Sequence, residues 1–393
     1  MVDILAYNFD NGIKEVLIYG GTIWGKAVCQ TLLSRGIGVK GIFDKYQAGD
    51  VIENIQIKSP DDIQNYKDMP IIICSTRGFR SMCDFIEGVG YTQAYHAGNI
   101  LSDVDWSLFH GWDVYESKEM VSKYMKYVHN YMGENLEDIE LGEFNVIVTD
   151  LCNLKCDMCL ARCTDVKKGK FYPIEELIDS FEKFLEQIHC LYKIIICGGE
   201  PLLHPELQKL IQFCIANEKI KRIEVLTNAT IIPKRELLDV LSNEKVRLVL
   251  DDYELSCQKI EEIIDVCKSA EVHCEVKKLE YWHDLTLMKS PKSDGDEELS
   301  ELYRECTESQ NYTLVDNKIV NCYRTFVDRQ CGDWPETICD YYIDLKTFER
   351  GDKSLKSEML KLMKKNYIQR CKYCVGTGKN AKVIPVAEQR KKE

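Results

Sequence analysis

The feature that most constrains this chain is a repeated alternation of short Val, Ile and Leu runs with segments of helical period. Strands buried on both faces read as continuous apolar runs, because helices cover each side of a parallel sheet. In the first hundred residues such runs fall at 16–19, 39–43 and 71–73. A second series begins near residue 144, with strands expected at 144–149, 193–198, 222–228, 246–252 and 271–278 and helices between them, for instance at 174–188 and 205–217. Both series predict an α/β fold with parallel sheets. At 393 residues the chain has room for two such units and an appendage. A polar, aromatic stretch at 103–116 and a helix to about 132 mark the passage between them.

The first unit opens with a strand, then Gly20-Gly21-Thr22-Ile23-Trp24-Gly25, then a helix, and its second strand closes on Asp44. That order predicts a Rossmann-like parallel sheet, in which amides at a helix start receive phosphate and a late acid receives ribose hydroxyls. Thr22 stands where a second glycine would let the backbone approach a pyrophosphate. Two readings follow. Gly20, Gly21, Gly25 and Asp44 hold a nucleotide or nucleotide-linked ligand, or the domain is a degenerate relative that packs or docks a partner.

Nineteen cysteines are many for a chain whose start has no basic segment leading into an apolar stretch. In a reducing compartment metal ligation explains such enrichment better than disulfides. Cys74, Cys197 and Cys214 sit inside apolar runs and read as small buried hydrophobes. A formal net charge of -13 argues against nucleic acid or a membrane surface as partner, since both are polyanions. No apolar run approaches the roughly 18 residues of a spanning helix, so a cytoplasmic location is expected.

The chemistry concentrates in Cys152-Asn153-Leu154-Lys155-Cys156-Asp157-Met158-Cys159, just past the first strand of the second series. Loops at this end of βα strands carry active sites. Three thiolates can hold three irons of a cubane and leave the fourth open to a ligand. Tetrahedral zinc is the alternative for such spacing. The next strand ends in Gly198-Gly199-Glu200, the third in Thr227-Asn228-Ala229 and the fourth in Asp251-Asp252.

This arrangement resembles the signature of the radical S-adenosylmethionine (SAM) superfamily. The resemblance covers roughly residues 140–378 and implies a partial (β/α)6-type barrel. It implies a four-iron cluster on Cys152, Cys156 and Cys159, and SAM contacts from Gly198, Gly199, Glu200, Asn228, Asp251 and the backbone of Met158. Met158 departs from the aromatic residue usual before the third cysteine, and Ala229 replaces a glycine. Farther on, Cys306, Cys322, Cys371 and Cys374 resemble the ligand set of a twitch appendage, the shorter relative of the SPASM domain, which implies an auxiliary four-iron cluster. A hairpin over 312–320 and a helix over 354–365 agree with that appendage. Structural zinc is the competing reading, and Cys163, Cys331 and Cys339 are further thiols without an assigned role.

The expected organisation is therefore a Rossmann-like domain at 1–105, a linker and helix at 106–140, a radical SAM partial barrel at 141–290, and a hairpin-and-helix cluster domain with tail at 291–393. The resemblance implies a 5'-deoxyadenosyl radical, a small-molecule substrate and an external electron donor such as flavodoxin or ferredoxin. Oxidation or epimerisation of a sugar-like or cyclitol-like, nucleotide-linked or free substrate is the first expectation. Maturation of a ribosomal peptide is the second, and a non-catalytic iron–sulfur or zinc protein the third.

Overall fold

The computed structural model describes residues 4–390 apart from 77, 107–113, 133–138, 289, 293–294, 334–341 and 379–380; Cys339 lies outside the described residues. The chain divides into two compact units, Met1–Glu137 and Asp138–Glu393.

The first unit is a seven-stranded sheet ordered β1-β7-β6-β2-β3-β5-β4. Its strands are β1 (Ile4–Ala6), β2 (Glu15–Tyr19), β3 (Gly38–Phe43), β4 (Val51–Ile52), β5 (Ile55–Lys58), β6 (Ile71–Ile73) and β7 (Ala94–His96). All neighbours run parallel except β4 against β5. With β2 flanked by β3 and β6, strand order reverses at β2, the switch point of a Rossmann-like sheet. Helix α1 (Ile23–Ser34) starts directly after the glycine turn. The segment expected as a linker helix is α4 (Val114–Met132), and it belongs to this unit. Tyr124 fixes it there: its buried hydroxyl donates to the Ile73 carbonyl at 2.5 Å and accepts from the Ala97 amide at 2.7 Å. Helices α2 (Phe79–Gly88) and α3 (Gly98–Ser102) complete the unit.

The second unit is built on an eight-stranded sheet ordered β12-β11-β10-β9-β8-β14-β15-β16. Five strands, β8 (Glu140–Ile147), β9 (Cys190–Cys197), β10 (Ile220–Thr227), β11 (Val246–Asp252) and β12 (Cys274–Lys278), run parallel in chain order. They coincide with the expected series. Helices α5 (Ile174–Glu186), α6 (Leu207–Ala216), α7 (Arg235–Leu241) and α8 (Ile260–Ser269) connect them. The sheet is open, so the structure is a partial barrel. A two-stranded ribbon, β13 (Trp282–His283) with β17 (Val383–Ile384), stands apart from it.

The hairpin expected inside a separate appendage instead extends this sheet. β14 (Tyr312–Val315) lies parallel to β8, then turns through Asp316 and Asn317, with φ 46 and 62, into antiparallel β15 (Lys318–Asn321), followed by β16 (Tyr342–Asp344). Left-handed central residues match the turn to the strand twist, and Asn favours them. Helix α9 (Asp296–Glu305) precedes the hairpin; α10 (Tyr323–Cys331) and α11 (Ser354–Met363) follow it. Among the described residues no helix is long and apolar enough to cross a membrane.

Candidate functional site

The C-terminal ends of β8 to β11 converge on one cavity of about 360 Å³ in the second unit. Cys152, Cys156 and Cys159 line it, as do Gly198, Gly199, Asn228 and Asp251. Residues from four successive strand ends therefore meet at one place.

The two glycines are there because backbones cross closely. Gly198 has φ 143, and a Cβ on it would stand 2.5 Å from the Thr149 carbonyl oxygen; on Gly199 it would stand 2.1 Å from that of Leu151. Their positions are fixed by amide donation from Gly199 to Thr149 and from Glu200 to Leu151, both at 2.8 Å. Glu200 is fully buried and accepts from the Thr227 hydroxyl at 2.8 Å, the Asn228 amide at 2.8 Å and the Leu202 amide at 3.0 Å. It clamps the end of β10 to the glycine turn. Burial raises its pKa to about 7 against the opposing pull of these hydrogen bonds.

Asn228 links strand end to cysteine loop, donating to Asn153 Oδ1 at 3.0 Å and reaching Cys152 Sγ at 3.6 Å. The next residue, Ala229, is buried at φ 55, the conformation that makes glycine usual in this turn. Asp251 takes a hydrogen bond from the Tyr253 hydroxyl at 3.2 Å, and burial raises its pKa to about 6.

The cysteine loop is held from far away in sequence. Cys156 forms a β-bridge with Gln389, whose side chain donates to Cys156 Sγ at 3.0 Å. Asp157 and Arg390 extend this clasp, through the Asp157 amide to Glu388 and a salt bridge at 3.2 Å. Met158 sits at φ 54, and its side chain meets the Thr286 hydroxyl at 3.8 Å. Cys163 hydrogen-bonds Cys152 and Cys159, lowering the pKa of both, that of Cys159 to about 6; burial pushes Cys156 up to about 11.

Two cavity residues went unnoticed in the sequence. Tyr323, at the start of α10, is buried and its hydroxyl has no hydrogen-bond partner among the described residues. Glu308 reaches the same cavity from the turn after α9, with its pKa raised by burial. Tyr323 directly follows Cys322 and Glu308 lies two residues past Cys306, and neither carries a periodic signal.

Cys306, Cys322 and Cys374 lie within Coulombic reach of one another, and Cys371 is one 3₁₀ turn from Cys374. Cys322 takes φ 71 as the chain leaves β15. The Gly376 amide donates to Cys374 Sγ at 3.3 Å and the Thr377 hydroxyl to Cys306 Sγ at 3.7 Å, the donors that stabilise thiolates. Cys331 lies instead beside Arg162, Asp165 and Asp333. Among the described residues no three Cys, His, Asp or Glu side chains close on a single ion position. Donors reach Sγ in both sets, the Leu154 amide to Cys152 at 3.4 Å and the Gln389 amide group to Cys156 beside those to Cys306 and Cys374, which suits thiolate ligands.

In the first unit the expected ligand residues make contacts within their own unit. Asp44 accepts from the amides of Gly21 and Tyr46 at 2.8 Å and Gln47 at 3.1 Å. A Cβ on Gly20, which has φ 120, would lie 2.3 Å from the Cys74 carbonyl oxygen, and one on Gly25 1.8 Å from that of Gly20. These glycines are accounted for by packing.

Residues 146–278, about a third of the chain, match the Radical SAM superfamily model. Curated relatives include a probable GTP 3',8-cyclase of Methanococcus maripaludis strain C6, 35% identical over 95 residues, covering 24% of this chain and 31% of that protein. The GTP 3',8-cyclase of Staphylococcus carnosus is 32% identical over 116 residues, covering 28% and 32%. The chain thus spans about a third of the length of these relatives. Among solved structures, BtrN in complex with AdoMet and 2-DOIA is 15% identical over 49% of this chain and 76% of that one, at a TM-score of 0.34. Streptococcus suis SuiB bound to precursor peptide SuiA is 18% identical over 49% and 41%, at 0.30.

Proposed function

With a radical SAM domain at residues 146–278 as premise, we propose that this enzyme abstracts hydrogen from a small hydroxylated substrate, sugar-like or cyclitol-like, free or nucleotide-linked, and oxidises or epimerises it. The superfamily uses SAM and a four-iron cluster. In this reading Cys152, Cys156 and Cys159 hold that cluster, and Cys306, Cys322, Cys371 and Cys374 hold a second. Bound there, cluster and SAM together supply a 5'-deoxyadenosyl radical able to attack an unactivated carbon.

The protein's own work is orientation and exclusion. Gly198 and Gly199 let the cysteine loop's backbone cross the end of β9 closely, Glu200 fixes that turn through Asn228, and Asp251 with Tyr253 presents a polar edge. The observation that carries the substrate reading is a polar group on the cavity wall outside the SAM motifs, the Tyr323 hydroxyl, which is buried without a hydrogen-bond partner among the described residues. Unpaired buried polar groups discriminate strongly in favour of ligands that pair with them, and substrate hydroxyls do so. Holding the target carbon near the radical supplies the entropic part of the rate. An external one-electron donor of the flavodoxin or ferredoxin class completes the system.

The test is anaerobic incubation of reduced protein with SAM and pools of deuterated sugars, cyclitols and nucleotide sugars. Expected is 5'-deoxyadenosine carrying deuterium, with a ketone or epimer. Release of 5'-deoxyadenosine but deuterium transfer only from a peptide pool would move the assignment to peptide maturation; no release at all would refute it. The curated relatives are named for GTP cyclisation, so GTP belongs in the nucleotide pool.

A further inference from the structure

Between the two cysteine sets lies a buried charged link. Asp328, fully buried on α10, pairs with Arg324 Nη2 at 3.0 Å and with Arg370 Nε at 2.8 Å, and these two guanidiniums are themselves only 6% and 3% exposed. Arg162 joins the same carboxylate at 3.0 Å but has partners of its own in Asp165 and Asp333. Two buried guanidiniums thus share one carboxylate, and Arg324 Nε has no hydrogen-bond partner among the described residues. Arginine does not shed its proton to escape burial, so the surplus positive charge stays. Burying it is costly unless an anionic group stands nearby.

The link faces both cysteine sets. Arg324 donates to the carbonyls of Cys159 at 3.2 Å and Leu160 at 3.4 Å, beside the first set. Arg370 precedes Cys371 and lies within Coulombic reach of Cys322 and Cys374. Both guanidiniums donate to the Leu285 carbonyl, Arg370 at 2.7 Å and Arg324 at 3.3 Å, which ties them into one body. Glu308 is the other carboxylate within Coulombic reach of both.

We propose that Arg324, Asp328 and Arg370 form a charge link that raises the reduction potential of the cluster held by Cys306, Cys322, Cys371 and Cys374. The inference rests on the reading of those cysteines as ligands. Reduction adds one negative charge to a cluster, and a fixed positive charge in a low-dielectric surround favours that form. A raised potential makes the second cluster the better electron acceptor. The three residues are positioning residues, acting through the cysteine sets.

Full-length protein, reconstituted anaerobically with iron and sulfide, is titrated with dithionite and mediators and followed by EPR. Arg370→Gln is expected to lower the potential of the second cluster more than that of the first, Arg370→Lys to restore most of the loss, and Asp328→Asn to raise it. Opposite shifts from neutralising opposite charges are something a general loosening would not produce. Unchanged potentials, or shifts of the same sign in Arg370→Gln and Asp328→Asn, overturn the proposal. If Arg370→Gln does not fold, Arg324→Gln takes its place with the same expected sign. Wild-type protein that binds only one cluster refutes the underlying ligand assignment instead, and iron analysis distinguishes that case before any titration.

Discussion

Replacing Glu200 with Gln removes a buried carboxyl that titrates beneath the cavity. Burial is the main influence on it and lifts its pKa from 4.5 to about 7; the bonds from Asn228, Leu202 and Thr227 pull downward and lose. The folded state therefore binds this proton more tightly than the unfolded chain does. Stability from that preference is complete below pH 4.5 and is lost as pH rises through about 7. A difference of this size amounts to roughly 2 to 3 kcal/mol between pH 5 and pH 8. Gln does not titrate, so the stability of wild type minus that of Glu200→Gln should fall by about this amount over that range. Anaerobic urea unfolding of both proteins without SAM, at half-unit pH steps, measures it. A difference that stays flat across the range would refute the account of Glu200 as a carboxyl held dry beneath the glycine turn.

Gly198→Ala should cost more than about 2 kcal/mol in the same assay, since its Cβ meets a backbone oxygen that cannot move aside. Tyr323→Phe removes a buried hydroxyl with no partner, so stability should hold or rise by up to about 1 kcal/mol while substrate turnover falls and substrate-free SAM cleavage is unchanged; a large loss of stability would show a partner unseen here. Cys156→Ala and Cys306→Ala should each remove about four irons per chain and leave the other cluster's spectrum intact. Loss of both clusters in either variant would refute two independent sites.

What the sequence revealed was local. Apolar runs gave β8 to β12, and the Asp316-Asn317 pair gave the hairpin, because strand period and turn chemistry are written within a few residues. The convergence of Cys152 to Cys159 with Gly198, Asn228 and Asp251 followed from strand ends in a parallel sheet sharing one face. The pairing of β14 with β8 was not legible, since it joins segments about 170 residues apart and rests on backbone hydrogen bonds that any strand can make. Nor was the role of Asp44, whose carboxylate turned inward to its own loop's amides. Helix α4 read as a linker because no pattern announces a single buried tyrosine. Arg324, Asp328 and Arg370 carry no joint signal in the sequence, because only folding puts them together.

The clasp between Gln389 and Cys156 bears on assembly. The loop that carries three candidate ligands lacks its partner strand until a segment more than two hundred residues downstream has been synthesised and has folded back. Iron delivered to the nascent chain would meet three thiols on an unsupported tether. With these thiols read as ligands, metal loading is expected to follow the docking of this segment, and Gln389→Ala is expected to lower the iron bound per chain.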